Sequence, residues 1–68
     1  MDWKAFIQVM KIDERAARAK YRTAAKAADS QAIKNIFNKL AYEEEVHISV
    51  LEDFEKDLKK VLAGEKEH

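Results

Sequence analysis

The sequence predicts an all-α protein, an antiparallel two-helix hairpin that dimerises into a four-helix bundle. Three observations carry that expectation. The 68 residues include no proline and one glycine, while alanine, lysine and glutamate abound, a composition suited to helix throughout. Two long apolar seams recur at alternating steps of four and three, the period of a helix face and not of a strand. The seams are interrupted once, at Ala28-Asp29-Ser30-Gln31, which leaves one domain, residues 1–68, made of two helices.

Helix 1 is expected from about residue 2 to about residue 28, with Asp2 capping its first turn through a side-chain oxygen. Its seam is Trp3, Ile7, Met10, Glu14, Ala17, Tyr21, Ala24 and Ala28, and Glu14 is the only charged member. Asp13 competes for the inward position. At ~100° per residue Asp13 lies about 60° from Met10 on one side and Glu14 about 40° on the other, which favours Glu14. The plainer alternative pairs Glu14 with Arg18, four residues on, as a surface ion pair.

Asp29 is expected to cap the second helix, with Ser30 as the alternative if the boundary slips by one. Helix 2 should then run from about residue 30 to 63, with Gly64 ending it in the left-handed conformation and Glu65 to His68 frayed. Its seam is Ile33, Phe37, Leu40, Glu44, His47, Leu51, Phe54, Leu58 and Val61. Both polar members belong to one Glu-x-x-His pair. An acid and an imidazole in an apolar seam cost several kcal/mol unless something pairs with them, and a divalent metal ion satisfies both. The plainer reading is an acidic surface run, Glu43 to Glu45, beside a chance histidine.

Folding the helices antiparallel about Asp29 places opposite each other residues whose numbers sum to about 58. Tyr21 then meets Phe37, Ile7 meets Leu51, Trp3 and Phe54 close the open end, and Glu14 faces Glu44. Three polar residues from two apolar seams thus converge at one level. One hairpin supplies two carboxylates and one imidazole, a charge of about −2. Two hairpins about a two-fold axis would neutralise two divalent ions and close the bundle. Ile36, Ile48, Val50 and Leu62 widen the apolar face of helix 2 beyond what one neighbouring helix covers. Ile12 and Val46 lie outside this face, either as scattered apolar residues or as a further interface between dimers.

Composition also excludes. With no cysteine, disulfides, thiolate metal sites and a rubredoxin-type iron centre are ruled out within this sequence. Thirteen basic and thirteen acidic residues cancel, so no overall field favours nucleic acid or an anionic membrane. Apolar runs are short and broken by charge, which argues against a membrane span or a signal peptide and for a protein that is cytoplasmic or enclosed in a cytoplasmic protein nanocompartment.

Glu14-x6-Tyr21, followed by Ile36-Phe37-x2-Leu40-Ala41-x2-Glu44-Glu45-x-His47-x3-Leu51, resembles one half of the rubrerythrin branch of the ferritin-like superfamily, over about residues 10 to 55. The resemblance implies a di-iron centre with Glu14 as terminal carboxylate, Glu44 as bridging carboxylate and His47 as imidazole ligand. It implies for Tyr21 a hydroxyl hydrogen-bonded near the carboxylates, against a plain role as an interhelical core tyrosine. Ferritins and rubrerythrins carry both halves in one chain, whereas this sequence holds one. It is similar to the two-helix encapsulated ferritins in layout and in the thirty-residue gap between Glu14 and Glu44. Those build the site across a dimer and gather dimers into rings inside a protein shell. The tail from Leu62 to His68 does not resemble their shell-targeting peptide.

The implied activity is a ferroxidase serving iron storage, with two irons per homodimer and dioxygen or peroxide as oxidant. The catalytic set would be Glu14, Glu44, His47 and Tyr21. Manganese or zinc would suit the same donors. Two rivals follow: a rubrerythrin-like peroxidase at the same site, and a non-catalytic helical interaction module with a structural metal. Glu43, Glu45, Glu52, Asp53 and Glu55 either attract cations or form a solvated face.

Overall fold

The computed structural model describes residues 1–66, with side chains as far as Gly64. It consists of two antiparallel helices, α1 (Trp3–Ala27) and α2 (Gln31–Lys66), forming a rod of 58 × 15 × 12 Å.

Helix α1 starts where it does because Asp2 stays extended while its Oδ1 accepts the Ala5 N–H at 3.0 Å and its carbonyl accepts that of Phe6 at 3.0 Å. It stops at Ala28, whose φ of −71° and ψ of 135° leave the helix while its N–H still donates to Ala24 O at 3.0 Å. The reversal takes Ala28, Asp29 and Ser30. Ser30, and not Asp29, therefore holds the capping position of α2: its carbonyl accepts from Lys34 N–H at 3.0 Å and its Oγ from Ile33 N–H at 3.5 Å. The expected cap shifts by one because the extended Ala28 adds a residue to the turn.

At the other end α2 passes straight through Gly64 to Lys66, and no residue among those described has positive φ. Gly64 is thus not a left-handed stop. The flanking Leu62-Ala63 and Glu65-Lys66 are strong helix formers, and no chain reversal there demands the left-handed region. The expected fraying of Glu65 and Lys66 is replaced by helix; Glu67 and His68 lie outside the described residues.

The core is one residue wide. Ile7, Ala25, Ala41 and Ile48 are the buried apolar residues among those described. The anticipated register is confirmed where Tyr21 stacks on Phe37, ring centroids 6.3 Å apart and planes at 29°. Ile48, expected on the face that one helix could not cover, is buried within the hairpin itself. Trp3 and Phe54 do not close the open end: each is 48% exposed, and the Trp3 ring instead meets Phe6 edge-on at 6.1 Å. Helix α2 has 36 residues against 25 in α1, so it overhangs by about 16 Å at 1.5 Å per residue. Val61 and Leu62 lie on the overhang and stay exposed for that reason. Ile33, Ile36, Val50 and Phe54 are also exposed. No described helix is long and apolar enough to cross a membrane.

Candidate metal centre

Glu14 sits midway along α1, and Glu44 and His47 one turn apart on α2, where the antiparallel register brings them level. One ligand atom from each lies within 4.8 Å of the others. His47 Nδ1 is 3.3 Å from Glu14 Oε2 and 3.5 Å from Glu44 Oε2. A ring nitrogen has at most one hydrogen to donate, so two carboxylates compete for it. The hydrogen bond goes to Glu14, and Glu44 Oε2 is left buried with no hydrogen-bond partner among the described residues. An orphaned buried acceptor costs about 1–3 kcal/mol, more if charged. A cation between the three would satisfy it, and a set of carboxylates with imidazole suits iron, manganese or zinc. On donor chemistry and on the orphaned oxygen, these residues fit a divalent metal.

The surface alternatives do not describe this site. Arg18 turns from Glu14 to Glu45, at 3.6 Å, and Arg22 also bonds Glu45. The run Glu43 to Glu45 is split three ways: Glu43 is exposed, Glu44 faces the cluster and Glu45 bridges to α1. Asp13 points to solvent, which settles its competition with Glu14. Among the acids considered as cation attractors, Glu52 and Asp53 are exposed and Glu55 is already engaged. Gln8 Nε2 donates to Glu55 at 2.8 Å and Lys11 Nζ at 3.1 Å. The Lys11 hydrogen bond, outweighing partial desolvation, holds the Glu55 carboxyl below its usual range.

Tyr21 lies two turns from Glu14 on α1, but its ring packs on Phe37, and no hydrogen bond among the described residues joins its hydroxyl to either carboxylate. The structure thus brings together Glu14, Glu44 and His47, and Tyr21 is not bonded to them within one chain. The cross-links from Arg18 and Arg22 to Glu45 were missed in the sequence. The available signal was the step of four that puts residues 14, 18 and 22 on one face.

The cluster is open on one side. The side chain of His47 is 55% exposed, against 30% for Glu14 and 15% for Glu44. On a projection of ~100° per residue, the exposed Ile36, Val50, Phe54 and Val61 all lie within about 60° of His47. The Glu14, Glu44 and His47 cluster therefore sits in an uncovered apolar stripe.

No curated protein and no solved structure matches the chain. The family model for rubrerythrin matches residues 8–68, a span that includes all three clustered residues. With nearly its whole length matched, and with two helices carrying a Glu, Glu, His cluster, the chain belongs to the rubrerythrin family.

Proposed function

We propose that the protein is a ferroxidase-type iron oxidoreductase whose centre is completed by a second copy of the chain. The observation that carries this reading is the convergence of Glu14, Glu44 and His47 with one buried carboxylate oxygen unsatisfied. Glu14 and Glu44 would hold the Fe(II) substrate through oxygen, and His47 through Nδ1, the nitrogen that faces both acids. Bound iron supplies one-electron chemistry, two Fe(II) giving up two electrons to dioxygen or hydrogen peroxide. Hard carboxylate donors favour the higher iron charge that results. Three donors from one chain leave a metal short of ligands, and a symmetric partner would double the set while covering the apolar stripe.

The test is anaerobic Fe(II) loading followed by native mass measurement and oxidation in air. Two irons per dimer and rapid oxidation that is lost in Glu14→Ala and Glu44→Ala are expected. Unchanged metal content in both variants, with the dimer intact, would leave a non-catalytic helical module with a structural metal.

The family match favours one further reading, reduction of hydrogen peroxide at the same centre. This sequence has no cysteine for a rubredoxin-type centre, so the electron donor would lie elsewhere. Steady turnover with peroxide and an external reductant, faster than Fe(II) oxidation in air, would assign the peroxidase.

A further inference from the structure

One of the cross-links between the helices lies a single residue from Glu44 and takes no part in the cluster. Glu45 Oε1 accepts a hydrogen bond from Arg22 Nη2 and faces Arg18 Nη1 at 3.6 Å. Glu14, Arg18 and Arg22 follow one another at steps of four, so the face of α1 that presents Glu14 also presents both guanidinium groups. On α2, Glu44 and Glu45 are consecutive and about 100° apart. One faces an acid and the other faces two bases.

Without a cation, Glu14 and Glu44 oppose each other with ligand atoms inside 4.8 Å, and like charges at that range repel. One relief would be a roll of α2 that swings Glu44 towards solvent. At ~100° per residue Glu44 and Glu45 lie on opposite sides of the buried line of Ala41 and Ile48, so the same roll would carry Glu45 from its place beside Arg18 and Arg22 towards the apolar line. The bridge and the repulsion therefore act on one degree of freedom in opposite directions.

We infer that Glu45, held by Arg18 and Arg22, is a positioning residue that keeps Glu44 facing Glu14 before any metal arrives. The cation then meets a donor set already formed, and the ordering cost is not taken from its affinity. This inference rests on the metal-centre reading above. The side chains of Arg18, Glu45 and Arg22 are 29%, 42% and 53% exposed, so added salt should weaken the bridge.

Co(II) uses the same donors and reports its ligands by visible absorption, so the probe is Co(II) titrated into the full chain at low and high salt. Glu45→Gln is expected to weaken binding about three- to tenfold, the range between an exposed ion pair and a residue orienting a metal ligand. The saturated spectrum should stay the same, because the ligands do. Arg22→Gln should weaken binding in the same sense and Arg22→Lys should restore most of it. Wild-type affinity should also fall more steeply with salt than that of Glu45→Gln.

If the wild type takes up no Co(II), the metal-centre reading fails and this inference goes with it. Equal affinity in wild type and Glu45→Gln overturns the inference and leaves the centre standing. A changed saturated spectrum would make Glu45 a ligand, and loss of helical circular dichroism would make the bridge purely structural; either result also overturns it.

Discussion

Glu44 concentrates the conflict in this molecule, since its Oε2 is buried, unbonded and turned towards a second acid. Glu44→Gln replaces one carboxylate oxygen by an amide that can donate to Glu14. In the presence of a chelator the variant should be the more stable, by about 1 kcal/mol. That corresponds to a rise in Tm of about 4–8 °C, and metal uptake should be lost at the same time. Glu55 makes a different prediction, one of pH. Lys11 depresses its folded pKa, so its contribution is complete above the ordinary carboxylate value of ~4.3 and disappears as pH falls through the lowered one. The Tm difference between wild type and Glu55→Gln should therefore be full at about pH 6 and shrink towards about pH 3. Glu14, Glu44 and His47 were legible in the sequence because each interrupts an apolar seam of fixed period. The partners of Glu45 and Glu55 were not, because flanking charges on two helices can pair in several ways until the roll angle of the hairpin is known.

At the scale of helices, the seams revealed the two elements and their register, as the stacking of Tyr21 on Phe37 shows. Their ends were harder to read. Asp29 and Ser30 are both good caps, and the choice was made by the backbone of Ala28, which no local side chain announces. Glycine after a helical run usually ends it, which is why the sequence alone points to a stop at Gly64. Here a Cβ would meet nothing within 4 Å, and the residue sits in ordinary helix. Gly64→Ala is accordingly expected to stabilise the protein by about 0.5 kcal/mol, measured by chemical denaturation, whereas a left-handed glycine would give the opposite sign.

At the scale of the molecule, the four buried residues among those described do not amount to a core of ordinary size for a chain of 68. Ile36, Val50 and Phe54 remain open to water beside the half-exposed His47. A glutamate at Val50 should cost the isolated hairpin little, since that side chain is exposed, yet abolish the proposed pairing. Native mass measurement of Val50→Glu should show single chains that bind metal at least tenfold more weakly than wild type. The exposed stripe was anticipated in the sequence for Ile36, Val50 and Leu62 but not separated from Ile48. The two groups differ by rotation about one helix axis, which a seam drawn from spacing alone does not resolve.

Under the proposed pairing, a His47 left uncovered by its own chain would tie rate to abundance. If each working centre must be closed by a neighbour, dilution below the dissociation constant of the pair makes turnover second order in protein. Halving the amount of chain would then quarter the output, and the proposed iron oxidation would be silenced simply by making less of the chain.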